Sequence, residues 1–442
     1  MADDRAVSGW SMYSWANHGW ETTVATVLAG PWLLSLATKH HPKHSILFSV
    51  GPLHLRTESY PSFVITVAAL VQLLVLPLLG SAADHRRSIE RWLALACLGG
   101  SAVAVAFAAT SGGEYVAAGV LLLLGSQAYG ASNVLYNALL PGLAAPDERD
   151  AISSRGFAYG YLGGGLLLAA NLALLLAHHA IGLDKSTAVR ICFVSAGLWW
   201  AGWGLWSLRR LPPPAELFDD ASRPGNRPRL REAIAVLRQR PQTLRYLIAY
   251  LLFSDAISAV IALSSTFITH ELFGDSASKA ATFLFALILM IQFVAMGGAV
   301  LAARVAARIG ARRSILASLV VWCLLILYTY LELHSKLQAV VVGVGIGIVL
   351  GGSQALARSL WAQLVPRGQE ATYFGLYEVA NEGTSWAAPL LFTIVVNATG
   401  SFRQAILSLL VLFVAGGVLL WRTNIDVAID EAAAPTQVVA GQ

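Results

Sequence analysis

The sequence predicts an all-α integral membrane protein with twelve transmembrane helices in two related halves of six. Apolar residues make up 56% of the 442 residues and charged residues only 12%. Apolar runs of about 20 residues, the length that crosses a bilayer, recur along the chain. The phrase Gly-Ser-Gln-Ala occurs at 125–128 and again at 352–355, and repetition over half the chain length indicates related halves.

Each predicted span is an apolar run bounded by turn or charged residues, and we number the spans 1 to 12 in chain order. They cover residues 13–38, 59–80, 92–111, 115–140, 156–178, 188–208, 245–269, 280–303, 314–333, 337–361, 372–398 and 402–421. The first run is long enough to span, so we do not expect its cleavage as a signal peptide. We expect four segments: an N-terminal six-helix bundle (1–208), a cytoplasmic linker (209–244), a C-terminal six-helix bundle (245–421) and a flexible cytoplasmic tail (422–442).

Basic residues predict the orientation, because loops rich in Lys and Arg stay in the cytoplasm. With the N-terminus inside, the inner segments hold 22 of the 30 Lys and Arg residues. Both termini are therefore predicted to be cytoplasmic. This asymmetry accounts for the net charge of +5, and we expect no nucleic-acid partner.

The linker closes on a short basic amphipathic stretch. Leu230, Ile234 and Leu237 recur there at helical spacing among several arginines. Such a pattern is typical of a helix lying on anionic lipid. A tether at the inner leaflet is the favoured interpretation, with partner recognition as the alternative.

The loop between spans 2 and 3 carries a charged motif, Gly-Ser-Ala-Ala-Asp-His-Arg-Arg at 80–87. It resembles the signature of the major facilitator superfamily of transporters, whose two halves are related about an axis along the membrane normal. The resemblance implies that Asp84, with Arg86 beside it, holds an inner gate closed at a helix start in the other half. That start would be near Thr372, where free backbone amides attract a negative charge. A tight polar turn with a topogenic charge cluster is the alternative.

Three further regions resemble the vacuolar amino-acid effluxer (autophagy-related) family, in a bacterial-type member. They read Tyr-Ser-Trp-Ala-Asn at 13–17, Tyr-Asn-Ala-Leu-Leu-Pro at 136–141 with Tyr-Gly-Tyr-Leu-Gly-Gly at 159–164, and Phe-Gly-Leu-Tyr at 374–377 with Ser-Trp-Ala-Ala-Pro at 385–389. The resemblance implies export of amino acids across a bacterial inner (plasma) membrane. It also implies a monomer in contact with membrane lipids, and we expect no cofactor.

Ionisable groups inside the spans are the candidates for coupling, because a charge inside the bilayer is costly and is retained mainly for function or pairing. Glu21, Asp255 and Glu382 lie near the middle of spans 1, 7 and 11. Asn17 shares one helical face with Glu21, and His18 is a further candidate. Spans 1 and 7 are repeat partners, so Asn17 and Asp255 are expected on opposite walls of one cavity. The alternative for each acid is a hydrogen bond that holds helices together.

Two further charged residues form a candidate gate. Arg358 in span 10 and Glu378 in span 11 are predicted at a similar cytoplasmic depth. An ion pair between them, made in one conformation and broken in another, would act as an inner gate. A permanent structural pair remains open as the alternative, since a buried arginine needs a partner in either case.

Amides in spans 4 and 10 predict a path for a polar solute. The candidate substrate residues are Gln127, Asn133 and Asn137 in span 4 and Gln354 in span 10. Amides bind the ammonium or carboxylate of a zwitterion without imposing a net charge. Polar residues also hold membrane helices together, but a cluster present in both halves favours the solute path.

Metal, disulfide and nucleotide sites are less well supported by the sequence. The three cysteines fall in predicted spans without a pairing rhythm, which indicates packing. His40, His41 and His44 share an outer loop, but no carboxylate or cysteine completes a metal set there. The glycine run at 163–165 lacks the strand-loop-helix setting of a nucleotide loop and predicts close helix packing.

Together, these patterns predict a secondary active transporter that exports a small polar solute, an amino acid by the resemblance. Transport would proceed by alternating access of the two halves, with protons as the coupling ion. The rival functions are transport of a lipid, drug or metal ion, and a membrane scaffold or receptor without turnover. An enzyme is disfavoured, because no nucleophile-base pair or metal cluster follows from the spacings.

Overall fold

The computed structural model describes residues 3–42, 45–50, 53–86, 89–217, 230–274, 276–382 and 387–434. The helices before the linker are α1 (Asp4–Gly19), α2 (Ala29–Ala37), α3 (Tyr60–Arg86), α4 (Ile89–Phe107), α5 (Tyr115–Ala138), α6 (Leu140–Leu143), α7 (Arg149–Ala177) and α8 (Lys185–Leu208). The later helices are α9 (Pro214–Leu217), α10 (Leu230–Arg238), α11 (Pro241–Phe273), α12 (Ala277–Ile309), α13 (Ala311–Glu332), α14 (Lys336–Leu364), α15 (Glu370–Glu382), α16 (Ala387–Thr399), α17 (Phe402–Ser408), α18 (Leu410–Arg422) and α19 (Ile425–Ala433).

Ten helices within the described residues are long and apolar enough to cross a membrane. They correspond to predicted spans 2 to 10 and span 12. Large apolar side chains such as Leu74, Leu176 and Leu337 are exposed on their outer faces, as expected where lipid rather than water surrounds a helix. The chain is an integral multi-pass membrane protein, and the predicted all-α fold class is confirmed.

Predicted span 1 is broken into three pieces. A nine-residue π-helical segment, Trp20–Leu28, separates α1 from α2. Pro31, in the first turn of α2, has no N–H to donate to the preceding turn, which disturbs the regular α-helical pattern. The Thr22 hydroxyl donates to the His18 carbonyl oxygen at 2.8 Å and satisfies it within the altered register. Such π-helical segments are frequent at functional sites, and this one contains Glu21.

In predicted span 11 the described helices are α15, which ends at Glu382, and α16, which begins at Ala387. Residues 383–386 between them lie outside the described part of the chain. Asp255 of α11 accepts a hydrogen bond from the Ala388 amide at 3.0 Å. This hydrogen bond joins spans 7 and 11.

Glycines allow spans 1 and 5 to pack closely. A Cβ on Gly163 would lie 2.6 Å from the Trp15 carbonyl oxygen, and one on Gly164 would lie 2.9 Å from the Thr22 side chain. Both distances are too short for a real Cβ, so only glycine fits at these positions. The packing role predicted for the glycine run is confirmed at these two residues.

The two halves meet along two seams. α3 of the first half packs against α15 of the second, and α7 packs against α12 and α14. The start of α1, the linker and the end of α18 share one end of the bundle, which we call the termini end. Arg245 at the start of α11, for example, donates to the Arg422 carbonyl oxygen at the end of α18 (3.0 Å).

The linker helix differs from its predicted role. Ala233, Val236 and Leu237 of α10 are buried, and α10 contacts α3, α11 and α15. Its apolar face therefore packs on the protein itself, where the sequence suggested contact with lipid. The amphipathic pattern is explained by this intramolecular contact.

The predicted flexible tail is wrong as far as Ala433. Glu431 of α19 accepts hydrogen bonds from the Gln242 and Thr243 amides at 3.3 and 3.1 Å and from the Thr243 hydroxyl at 3.0 Å. These amides open α11, where a carboxylate is favoured by both capping and the helix dipole. α19 is thereby attached to the start of span 7. Residues 435–442 lie outside the described part of the chain.

The loop between spans 1 and 2 contains a small antiparallel sheet of β1 (Ile46–Val50) and β2 (Leu53–Arg56). The sequence analysis predicted no strand there. Leu55 is the buried residue of the pair, which indicates that the sheet covers the end of the bundle opposite the termini end.

Candidate functional site

Polar side chains of spans 1, 4, 5 and 10 meet in the middle of the bundle. We call this group the central polar cluster, and its members are Asn17, His18, Glu21, Tyr129, Asn133, Tyr161 and Gln354. Five of the seven were site candidates from the sequence. Tyr129 and Tyr161 join them through their hydroxyl groups.

Glu21 is the acid of this cluster. Its side chain is 44% exposed, although span 1 packs against α7 and α8. The Tyr129 hydroxyl donates to Glu21 Oε2 at 2.5 Å. The exposure leaves the carboxylate accessible beside this hydrogen bond. Glu21 is thus an intramembrane carboxyl group within reach of solvent.

His18 contacts Glu21 with one ring nitrogen and two acceptors with the other. Nδ1 lies 2.9 Å from the Ser14 carbonyl oxygen and 3.2 Å from Asn17 Oδ1. Because both are acceptors, we assign a hydrogen to Nδ1. Nε2 then lies 3.7 Å from Glu21 Oε2. A proton on Nε2 or on the carboxyl group therefore sets the charge of the whole pair.

Asn17 holds this arrangement in place. Its Nδ2 donates to Asn133 Oδ1 at 2.8 Å and to Ser132 Oγ at 3.4 Å, so its Oδ1 is left for His18. Asn17 is only 1% exposed, whereas Asn133 is partly exposed. Asn17 is therefore a positioning residue, and Asn133 is the amide nearer to solvent.

The cluster reaches the second half through span 10. Tyr161 donates to Gln354 Oε1 at 2.7 Å, and the His18 ring meets the Tyr161 ring edge-on with centroids 5.9 Å apart. Gln354 belongs to the second copy of the repeated phrase. A change in the distance between the halves would alter this contact directly.

Gln127, in the first copy of the repeated phrase, makes its hydrogen bond within one half. Gln127 Nε2 donates to the Ala68 carbonyl oxygen of span 2 at 2.9 Å, so its hydrogen bond joins two helices of the same half. Gln127 Oε1 is buried without a hydrogen-bond partner. The helix-holding alternative is the one that this geometry supports for Gln127.

Arg358 lies between the halves, toward the termini end, and is only 3% exposed. It donates to Asn137 Oδ1 at 3.0 Å and to Ser153 Oγ and carbonyl oxygen at 3.0 and 2.8 Å. Asn137 Nδ2 in turn donates to Glu378 Oε1 at 2.8 Å. The amide of Asn137 therefore connects the two charges that the sequence analysis paired directly.

Aromatic rings surround the same guanidinium group. Its central carbon lies 4.2 Å from the Phe157 ring centroid, 4.8 Å from that of Trp10 and 5.4 Å from that of Tyr136. Cation–π attraction is strongest where water is excluded. All three rings belong to the first half, so Arg358 is anchored across the interface by more than its hydrogen bonds.

Asp84 makes the interhalf contact that the motif implied. It is 3% exposed and accepts hydrogen bonds from the Ala371 amide at 3.0 Å and from the Thr372 amide and hydroxyl at 2.7 Å each. Thr372 lies in the first turn of α15, where amides are free and the dipole favours an anion. Arg86 ends α3, and its side chain lies outside the described part of the structure.

Two residues at the start of α7 were missed as interface residues. Arg149 donates to the Ala362 carbonyl oxygen at 3.0 Å, and the Ser359 hydroxyl donates to Asp150. A spacing in the sequence was available as a signal, because Asp150 follows a proline by four residues, as Glu370 does at the start of span 11. The sequence analysis named neither residue as a site candidate.

Asp255 does not share an open cavity with Asn17 in this structure. It is 1% exposed, with Oδ2 on the Ala388 amide and Oδ1 buried without a hydrogen-bond partner. Its observed contact joins α11 to α16. Glu382 ends α15, and its side chain lies outside the described residues.

The hydrogen bonds between the halves described so far come, with one exception, from the termini-end portions of spans 2, 4, 5, 10 and 11. The exception is the central Tyr161–Gln354 contact. Glu21, in the middle of span 1, is nevertheless 44% exposed. The halves are therefore closed together at the termini end, and Glu21 is reached from the opposite side.

A metal site is not formed by the described residues, which contain no group of three His, Cys, Asp or Glu side chains suited to hold an ion. His40 Nε2 lies 2.5 Å from the Gly112 carbonyl oxygen, so it joins two loops at the opposite end. Cys97, Cys192 and Cys323 are free thiols. His44 lies outside the described residues.

Relatives of this chain cover most of its length. It is 22% identical to the uncharacterized MFS-type transporter YxiO of Bacillus subtilis, over 93% of each protein. It is 26% identical to autophagy-related protein 22-1 of Phaeosphaeria nodorum, over 86% of this chain and 78% of the relative. Both similarities extend across the two halves.

The fold is also that of solved transporters. The major facilitator transporter FucP, in its outward conformation, superimposes with a TM-score of 0.70 at 12% identity, over 95% of this chain and 98% of FucP. This likeness confirms the predicted major facilitator fold and, with the relatives, the prediction of a transporter rather than an enzyme.

The family model described as "Vacuole effluxer Atg22 like" matches residues 2–433. That range includes the central polar cluster and the interhalf contacts at Asp84 and Arg358. The protein therefore belongs to the Atg22-like family of major facilitator transporters.

Proposed function

We propose that this transporter exports amino acids in exchange for protons, with the Glu21–His18 pair as the proton carrier. The observation that carries the proposal is a half-exposed intramembrane carboxylate, hydrogen-bonded to Tyr129 and facing a histidine. Ionisable groups held inside a membrane bundle commonly mark ion pathways. The family model is described as a vacuole effluxer, which supports export as the direction of transport.

Proton carriage follows from the position of the pair. Because Glu21 Oε2 and His18 Nε2 are 3.7 Å apart, one proton neutralises or charges the pair as a unit. The carboxylate is accessible while the termini end is closed, so it exchanges protons with the side opposite the termini. Closure on that side and opening of the termini end would expose the same pair to the cytoplasm.

Amino-acid recognition is supported by the mixture of groups in the cluster. Glu21 offers a negative charge to an ammonium group, while Nδ2 of Asn133 and Nε2 of Gln354 offer hydrogen bonds to a carboxylate. The Tyr161–Gln354 contact spans both halves. A solute bound there would contact both halves at once, as alternating access requires.

Opening of the termini end would break the contacts at Asp84 and at Arg358. Three hydrogen bonds link Asp84 to α15, and three more link Arg358 to the first half. We propose these two sets as the gate on that side. The excess of Lys and Arg on that side supports a cytoplasmic location for the termini end, and we propose a bacterial inner membrane as the location of the protein.

The test is counterflow of a panel of labelled amino acids into liposomes that contain the purified protein and a pH-sensitive dye. Saturable exchange accompanied by proton movement is the expected result. With Glu21→Gln, proton movement should be lost, and solute exchange should weaken as well because the charge offered to the ammonium group is removed. Glu332→Gln, an exposed acid at the end opposite the termini, is the matched control and should behave as wild type.

Two results would count against the proposal. Proton movement that survives in Glu21→Gln would remove the carrier assignment. A folded protein that moves no amino acid would redirect the panel to lipids, drugs and metal ions, and then to a scaffold without turnover.

A further inference from the structure

A cavity of about 610 Å³ lies at the termini end, away from the central polar cluster. It is lined by the start of α7, the turn between α12 and α13, the end of α14 and the docked helix α19. Ligand sites in proteins fall in the range of about 300–1,000 Å³. The transport site does not include any of its lining residues.

The cavity walls carry both signs of charge. Arg312 and Arg313 lie at the α12–α13 turn, while Asp150 and Asp426 come from α7 and α19. Arg312 donates one hydrogen bond to the Trp421 carbonyl oxygen, but its Nε is buried without a partner. A buried donor without an acceptor is costly, and an anionic ligand group in the cavity would supply one.

The remaining walls are apolar. Leu316 and Leu360 line one part, and Ile425 and Ile429 of α19 line another. Trp421, also in the lining, is 64% exposed at the end of span 12, the level at which tryptophan marks the membrane interface. Charged and apolar walls at headgroup depth fit an amphiphile better than a fully water-soluble molecule.

We propose that this cavity binds a zwitterionic ligand with a primary amine and an anionic group, supplied by the headgroup of an aminophospholipid. The anionic group would lie at Arg312 and Arg313, and the amine would donate to Asp426 and to Asp150. A primary amine has N–H donors for a carboxylate, whereas a quaternary ammonium group has none. The ligand chemistry therefore distinguishes ethanolamine from choline headgroups.

Binding there would favour one conformation of the transporter. The cavity joins Asp150 of the first half to second-half elements, and Asp150 also accepts the Ser359 hydrogen bond between the halves. A ligand that contacts both walls binds the closed termini end better than the open one, and so shifts the population toward it.

Native mass spectrometry of the full chain, purified in detergent, tests the proposal with phosphatidylethanolamine and phosphatidylcholine of matched acyl chains. We expect selective retention of phosphatidylethanolamine. Arg313→Gln and Asp426→Asn should each weaken it roughly two- to tenfold, the range for losing one hydrogen bond net of solvation. Both side chains are at least partly exposed, so these variants are expected to fold, and unfolding temperature checks this.

The matched controls are Arg308→Gln and Asp430→Asn, charges on α12 and α19 outside the cavity, which should bind as wild type. Equal retention of both lipids by every variant would overturn the proposal. Free phosphoethanolamine provides the second arm. If it binds with the same dependence on Arg313 and Asp426 while lipid is not retained, the zwitterion assignment stands and the lipid source is overturned.

Discussion

Removing the Asp84 carboxylate should open the termini end. Asp84 accepts three hydrogen bonds from the first turn of α15 in the other half. Loss of an N-cap acceptor costs about 0.5–2 kcal/mol, and a partly buried charge at a helix end contributes up to about 2 kcal/mol. We therefore take about 2 kcal/mol for Asp84→Ala as the energy lost by the closed state alone.

That energy corresponds to a roughly 30-fold change in the ratio of open to closed molecules, since about 1.4 kcal/mol is tenfold. If the open form is about 1% of the wild type, a typical minor-state population, it becomes about a quarter in the variant. Spin labels at Asp147 and Arg308, exposed residues of opposite halves, report this by pulsed dipolar spectroscopy as a second, longer distance. Cys323 is replaced by serine to limit background labelling.

The matched control is Asp184→Asn. Asp184 caps α8 by accepting from the Thr187 amide at 3.0 Å and hydroxyl at 2.6 Å, within a single half. The Asp184→Asn variant should leave the distribution of spin-label distances unchanged. An unchanged distribution in folded Asp84→Ala would refute the argument that this cap holds the halves together.

Three further outcomes are expected. Gly80→Val should also open the termini end, because a Cβ at that position would overlap the Ala371 carbonyl oxygen, and the same spin-label distances measure it. Tyr129→Phe removes the hydroxyl that donates to Glu21, so proton movement in liposomes should fall about tenfold, as expected for one charge-assisted hydrogen bond. Glu431→Gln weakens the cap on α11 and should lower the free energy of unfolding by about 1 kcal/mol, seen as a lower unfolding temperature.

Controls separate these effects from general damage. A Cβ added at Gly99 would meet no atom within 4 Å, so Gly99→Val should not change the distances. A shift equal to that of Gly80→Val would contradict the steric argument. Unchanged proton movement in Tyr129→Phe, or an unchanged unfolding temperature in Glu431→Gln, would show that the corresponding hydrogen bond contributes nothing to that property.

Continuous spans were predictable because each is an apolar run long enough to cross the bilayer, a property that hydropathy measures directly. The π-helical segment of span 1 was not, although Pro31 stands in the sequence. Prolines are tolerated in membrane helices when neighbours satisfy the freed backbone groups. Whether a helix keeps its regular pattern depends on groups that can satisfy the backbone, such as the Thr22 hydroxyl at the His18 carbonyl oxygen.

Some contacts between distant helices were likewise predictable from the sequence, and others were not. The Asp84 contact at Thr372 was expected, because the motif resembles one whose partner position is known for the superfamily. The connection from Arg358 through Asn137 to Glu378 was not, because it depends on the relative depth of three helices. Depth errors of one or two residues change the partner, and sequence periodicity does not resolve them.

The cap provided by Glu431 bears on how the protein is made. Glu431 follows Thr243 by 188 residues, so span 7 enters the membrane long before the acid that caps its first turn has been synthesised. The second bundle therefore completes its packing only after the ribosome has reached the last residues of the chain. A variant shortened or fused directly after Arg422 would keep every span yet leave that first turn without its cap.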